Sequence, residues 1–300
     1  MPKGASLFEA LFIMNGCRLC PVACGADRTK TRGACGGDDK IRIGFVGAHF
    51  GEEPPLVGKR GSGAVFFSGC SLRCVFCQNA AISADCGGKI YSKSELETAL
   101  LRLSETCENI NLVTAGHMLD LILPVLEQVK PRLKVPVVYN SGGYETVAAL
   151  KRLDGLVDVY LPDYKYFSPE LAERYSGRRN YPEIARAAIS EMVRQQPNVV
   201  MDGGLIKSGV IIRHLVLPGC RQDSIAVVRD IAERWKNNIL ISLMSQYTPE
   251  FNRTSLPELN RRVTSFEYES VLREVEKLGL DGFMQEKDSA TSALTPKWEL

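Results

Sequence analysis

Three hundred residues, 45% of them hydrophobic, are ample for one principal domain with a buried core. The 37 basic and 35 acidic residues nearly cancel, and no run of five or six like charges occurs, so composition gives no footing for nucleic-acid binding. No apolar stretch approaches about 18 residues, and the short patch Leu7 to Met14 is broken by Glu9 and flanked by little positive charge; the chain reads as soluble and cytoplasmic, with neither an export signal nor a membrane partner.

Residues 1–60 are rich in Gly and Cys around Cys17 to Gly37 and then turn at Pro54-Pro55. They are expected to form a small metal-binding extension. Within it Cys17, Cys20, Cys24 and Cys35 follow the spacing C-x2-C-x3-C-x10-C, with Gly25, Gly33, Gly36 and Gly37 supplying turns. Four soft ligands suit a closed site, holding zinc or a second iron-sulfur cluster. Zinc would staple a segment with little apolar content of its own, whereas an auxiliary cluster would relay electrons or bind substrate. Low apolar content favours the structural metal, and the sequence leaves both options open, together with no metal at all.

Over residues 61–285, apolar β-rich runs alternate with helical periodicity, the signature of βα units around a parallel sheet. Strands are predicted at 64–68, 110–114, 135–140, 157–162, 210–217 and 238–244, most of them near-continuous apolar runs suited to strands covered on both faces. Helical patterns intervene at 92–108, where Ser92 or Ser94 would cap, and at 119–129, 146–153, 183–194, 224–235 and 266–278. Six such units fit either a partial (β/α)6 TIM-type barrel or an open doubly wound sheet. In both, right-handed crossovers bring the C-terminal ends of the strands to one rim, where chemistry should sit. Residues 286–300 form a C-terminal tail.

Directly after the first predicted strand comes the segment Gly69-Cys70-Ser71-Leu72-Arg73-Cys74-Val75-Phe76-Cys77-Gln78-Asn79. Three thiolates on one loop suit three irons of a cubane and leave the fourth iron open to an outside ligand, as open reactive sites differ from closed structural ones. A zinc knuckle or a chance grouping of buried cysteines are the plainer alternatives, disfavoured by the spacing, the place after a strand and Phe76 before the last cysteine. Clustered cysteines in a chain this long point to metal ligation in a reducing compartment. Cys86, Cys107 and Cys220 lack partner spacing and read as small buried hydrophobes.

The C-x3-C-x-aromatic-C motif resembles the hallmark of the radical S-adenosylmethionine superfamily. More narrowly, GSGAVFFSGCSLRCVFCQN (61–79), NINLVTAGH (109–117), VYNSGGYE (138–145), DVYLPDYKY (158–166) and IIRHLVLPG (211–219) resemble pyruvate formate-lyase activating enzyme-like proteins. The resemblance implies a parallel βα barrel, complete or partial, and a [4Fe-4S] cluster on Cys70, Cys74 and Cys77. It further implies S-adenosylmethionine chelated at the unique iron and split by one electron to methionine and a 5′-deoxyadenosyl radical. A reductant such as flavodoxin or ferredoxin is the implied partner, and hydrogen abstraction from a protein substrate is the implied reaction, in the manner of glycyl-radical enzyme activators. Radical modification of a small molecule, peptide or protein side chain is the first alternative, and a metal-stabilised scaffold without chemistry the second.

The resemblance also assigns residues on the rim. Phe76 is expected beside the cosubstrate. Asp163 and Lys165, in PDYK, resemble the Asp-x-Lys that contacts ribose and carboxylate, two alternate positions sharing a face; a surface ion pair is the plain alternative. Asn140, with Ser141, Gly142 and Gly143, closes the third strand, where glycine admits close backbone approach and Asn140 would hold a ribose hydroxyl, unless this is simply a turn. Glycyl-radical activators usually carry Gly-Gly-Glu after the second strand, but here the residues are Ala115-Gly116-His117. Gly116 would serve through its backbone, and His117 is left without a role, a helix cap being the plain reading. Only one of the adjacent Arg213 and His214 can face inward, and Arg213 is favoured. Tyr247, with Gln246, stands where activators place a cosubstrate-contacting residue.

Overall fold

The computed structural model describes residues 16–284 and 295–299. The apolar patch Leu7 to Met14 lies outside the described residues, as does most of the tail at 286–300. The strands are β1 (Ile41–His49), β2 (Ser62–Phe67), β3 (Lys89–Tyr91), β4 (Ile110–Val113), β5 (Val137–Ser141), β6 (Val159–Pro162), β7 (Val200–Asp202), β8 (Leu205–Leu215), β9 (Ile239–Met244) and β10 (Gly282–Met284). Their order across the sheet is β10-β9-β8-β6-β5-β4-β2-β1-β3, with β7 paired to β8 off that path.

From β2 to β10 the pairs along that order are parallel, and the strands follow one another in sequence order without reversal. That order decides between the two architectures the sequence allows. A doubly wound sheet needs a reversal to place helices on both faces, whereas unreversed right-handed crossovers keep the helices on one face and curl the sheet around its other. The fold is therefore a partial TIM-type barrel. Each of the six predicted strands is present, and β10 adds a short parallel one at the edge.

Helices Lys93–Thr106, Leu119–Val129, Val147–Lys151, Tyr181–Gln195, Arg221–Trp235 and Ser265–Leu278 occupy the predicted crossovers. Ser92 closes a capping box with Glu95, its hydroxyl accepting from the Glu95 amide at 3.2 Å. A further helix, Pro169–Ser176, starts from the Ser168 cap and was not legible as a stripe. Helix packing buries the outward-facing strand residues, among them Val137, Tyr139, Tyr160, Val210, Ile212 and Leu243. Cys86, Cys107 and Cys220 are buried. No helix of the described residues is long and apolar enough to cross a membrane.

The region the sequence assigns to the extension divides in two. Residues 16–40 are coil and turns, but β1 joins the main sheet, running antiparallel to both β2 and β3. After β1 the chain dips beneath the barrel. The one-turn helix Pro54–Val57 packs against β8, and Leu56, fully buried, sits among Val138, Val159, Leu161, Ile206 and Ile211. Asn109 fixes it by donating to the Leu56 carbonyl at 2.7 Å while accepting from the Ser62 hydroxyl at 2.7 Å. At the other end, residues 295–299 lie on β1 and β2: the Trp298 ring meets Phe66 edge-on at 5.3 Å, and the Glu299 amide donates to the Gly44 carbonyl at 2.8 Å.

Candidate functional site

Side chains alternate along a strand, so one parity of each barrel strand faces inward. Above the apolar layer around Leu56, that parity presents Val113, Asn140, Asp163, Arg213 and Leu215 to a cavity of about 190 Å³. The Cys70–Cys77 loop forms part of its wall, and Cys70, Cys74, Phe76, Cys77, Lys165 and Tyr247 all line it. Gly116 does not. It lines a small adjoining void of about 20 Å³ on the other side of the loop, together with Cys20, Cys70 and His117.

The loop is tied down before any metal enters. The Val75 amide donates to the Tyr175 carbonyl at 2.9 Å, and Phe76 packs edge-on against Tyr166, Tyr175 and Tyr247 at 6.2–6.5 Å between ring centres. The Tyr247 hydroxyl is spent on the Leu259 carbonyl at 2.6 Å, so this residue offers the cavity its ring. Burial pushes the Cys70 thiol up to about 12, with Cys74 adding to the rise, and burial likewise raises Cys77. Ser176 donates to the Cys74 sulfur at 3.0 Å and Ser83 to the Cys77 sulfur at 3.3 Å. Hydroxyl donors aimed at sulfur fit thiolate ligands of an iron-sulfur cluster, because a bound cation replaces the proton that burial would otherwise retain.

Deeper in the cavity lies a charged network. Arg213 donates from Nε to Asp163 Oδ1 at 2.8 Å and from Nη2 to Asn140 Oδ1 at 2.6 Å, and Lys165 Nζ donates to Asp163 Oδ2 at 2.5 Å. Burial alone would raise the Asp163 carboxyl, but Arg213 and Lys165 outweigh it and hold the group below its ordinary range. Arg213 faces the cavity. His214 is buried on the opposite face, its Nδ1 2.7 Å from the Tyr164 carbonyl. Ser141 and Gly142 line the cavity beside Asn140, and Gly143 turns the chain with φ of +74°, where a Cβ would stand 2.2 Å from the Asp163 carbonyl oxygen.

His117 caps no helix. Its ring is buried beneath the cysteine loop with Nε2 2.8 Å from the Ser68 carbonyl, and burial lowers it to about 4, so it is neutral. Its own carbonyl accepts from Arg28 Nη1 at 2.5 Å, which docks the N-terminal segment on the barrel. There Cys17, Cys20, Cys24 and Cys35 come together: Cys20 senses the charges of the other three, and Cys24 is hydrogen-bonded with Cys17. Among the described residues no three His, Cys, Asp or Glu side chains stand at the separations one metal ion requires, and this holds for these four thiols as for the loop's three.

Two residues of the site escape a reading by sequence. Glu52, in the loop after β1, places a carboxylate in the cavity, 3.4 Å from Asn140 Nδ2 and 3.5 Å from Arg213 Nη1. Burial raises it to about 7. The acidic pair Glu52-Glu53 before a Pro-Pro turn was its only signal. Thr114, at the end of β4, lines the cavity with φ of +59°. For a β-branched residue that is an outlier of the kind concentrated at functional sites, and sequence does not announce it.

No family model matches the chain. It is 32% identical over 280 residues to the uncharacterized protein MJ0674 of Methanocaldococcus jannaschii, a match that takes in 90% of this chain and 77% of that one. The chain belongs to the same family as this archaeal protein. Among solved structures, it is similar to a domain of pyruvate-formate lyase-activating enzyme from Bacteroides vulgatus at TM-score 0.42 and 8% identity, over 56% of this chain and 92% of that one. Streptococcus suis SuiB matches at TM-score 0.49 and 11% identity over 72% of this chain, which is 46% of SuiB's own length. A radical SAM methyltransferase from Sphaerobacter thermophilus matches at TM-score 0.44 and 15% identity, over 77% and 69% of the two chains. At TM-scores below 0.5, these likenesses carry no conclusion about chemistry.

Proposed function

We propose that this chain is a radical S-adenosylmethionine enzyme, with Cys70, Cys74 and Cys77 as ligands of a [4Fe-4S] cluster. One observation carries the reading: the three loop thiols open onto the same cavity as Asp163, Lys165, Asn140 and Arg213. When bound, the cluster supplies one electron to the sulfonium of the cosubstrate, giving methionine and a 5′-deoxyadenosyl radical. The chain's own residues bind and orient. Lys165, the cation interacting with both Cys74 and Cys77, is placed for the cosubstrate carboxylate. Asp163 and Asn140 offer acceptors for ribose hydroxyls, held in position by Arg213. Phe76 and Tyr247 wall the site with apolar ring surface, and Gly116 contributes from behind the loop.

The finer reading is hydrogen abstraction from a protein substrate, with flavodoxin or ferredoxin as reductant. It is supported by the resemblance of the five sequence segments to pyruvate formate-lyase activating enzyme-like proteins. A second metal on Cys17, Cys20, Cys24 and Cys35 is supported by the convergence of those thiols. The test is anaerobic reconstitution with iron and sulfide, reduction with dithionite, and chromatography for 5′-deoxyadenosine. We expect that product from the wild type and none from Cys70→Ala. A fully loaded, reducible protein that neither binds nor cleaves S-adenosylmethionine would overturn the assignment.

A further inference from the structure

Beneath the Asp163-Arg213 pair the barrel interior is acidic. Glu52 and Glu53 both descend from the loop after β1, and together with Asp163 they set three carboxylates around Arg213, which interacts with all three. Lys165 is the other cation lining the cavity, and it is engaged with Asp163 on the side of the cysteine loop. The inventory of buried charge is thus one positive group short, an unfavourable state for a low-dielectric interior unless a ligand or a proton makes up the difference.

Glu52 lines the cavity, and the polar groups packed behind it, Glu53 and Asn111, are incompletely paired. Glu53 is 7% exposed and its Oε2 has no hydrogen-bond partner. Asn111 is 0% exposed and interacts with the Glu52 carboxylate, though neither its Oδ1 nor its Nδ2 reaches full hydrogen-bond geometry. It occupies β4 two residues before the cavity-lining Val113, hence on the same inward face. The contacts Glu52 does make, at 3.4 and 3.5 Å, are at the long end of the range. Buried polar atoms left this way call for an explanation, since satisfied ones are the rule. The three carboxylates Glu52, Glu53 and Asp163 do not stand at the separations one metal ion requires. A larger cation with several N–H donors fits the cavity side of this group: it would meet the Glu52 carboxylate, with the charge of Glu53 behind it.

We infer that Glu52, backed by Glu53 and Asn111, forms a subsite for an organic cation, an alkylammonium or guanidinium group carried by the substrate. The same chemistry is offered by a free amine and by a lysyl or arginyl side chain of a peptide. The inference rests on the proposed function only for the claim that this ligand is the radical's target. The raised Glu52 carboxyl agrees with a site that lacks its counter-ion.

The test is calorimetric titration of the reconstituted protein with n-butylammonium chloride and, as its neutral counterpart, 1-butanol, with S-adenosylmethionine binding measured in parallel. The ammonium is expected to bind at least tenfold more tightly than the alcohol, and Glu52→Gln or Glu53→Gln to abolish that preference. Asn111→Leu gives a second variant that leaves both carboxylates in place, and it should weaken the ammonium severalfold. A blocked Gly-Lys-Gly peptide separates the sources: competition with butylammonium assigns the cation to a side chain, and no competition assigns it to a free amine. Equal affinity for ammonium and alcohol, or an unchanged preference in folded Gln variants, overturns the inference. Loss of S-adenosylmethionine binding with ammonium preference intact would instead remove the proposed function and leave this subsite standing.

Discussion

The backbone amide of Cys70 donates to the carbonyl of Cys35 at 3.0 Å, so the first cysteine of the loop is hydrogen-bonded to the last cysteine of the N-terminal four. The two clusters of thiols are parts of one packed unit. Gly69 sits at that junction with φ of +94°, and a Cβ there would stand 2.7 Å from the Cys35 carbonyl oxygen and 2.9 Å from His117 Nε2.

Gly69→Ala is therefore expected to destabilise the chain by about 2 kcal/mol through backbone strain and crowding. Iron content after reconstitution should fall with it. Thermal unfolding and iron analysis check both, and wild-type iron loading in the variant would show that the junction does not set the loop.

Lys165→Ala should weaken S-adenosylmethionine binding by roughly tenfold or more, the scale of one charge-assisted contact, while iron content stays unchanged. Equilibrium binding to the reconstituted protein reads the first quantity and metal analysis the second. Loss of iron as well would place Lys165 in the support of the loop.

Among the cysteines, Cys77→Ala is expected to lose the cluster's absorbance and all 5′-deoxyadenosine formation, whereas Cys220→Ala should keep both. Cys220 is buried, within 3.7 Å of the Tyr175 hydroxyl and away from the cavity lining. Equal loss in the two variants would detach the effect from ligation.

His214 gives a pH dependence whose sign is fixed. Burial lowers it to about 4 in the fold, while in the unfolded chain it takes up its proton near about 6.5. Between those values the unfolded state binds more protons, so this residue's contribution to stability is complete above about pH 6.5 and declines as pH falls toward about 4, by about 3 kcal/mol in all. His214→Gln should remove that part of the slope. Denaturant melts of both proteins from neutral to acid pH measure it, and parallel curves would contradict it.

The barrel was legible where strands are predominantly apolar, because a strand covered on both faces is built mainly from hydrophobes; β6 and β9 carry little else, while β4, β5 and β8 interrupt their apolar runs with Asn111, Asn140 and Arg213. β1 was not legible: Gly44 and Gly47 interrupt its alternation, and its partner strands are supplied only by the fold. The three-residue β3, β7 and β10 carry too few side chains for any period to register. In the site, the cysteines could be found by spacing and the rim residues by the resemblance of their motifs, but Glu52 by neither. Its place in the cavity follows from the chain passing under the barrel, a tertiary fact that no local pattern encodes.

Leu56, sealed among Val138, Val159 and Ile211, has one more consequence. It closes the interior at that end, so a guest resting near Glu52 is expected to arrive before anything that settles nearer the cysteines. Two molecules sharing it would form a queue, the inner one first to enter and last to leave, and kinetics with both present should show compulsory order.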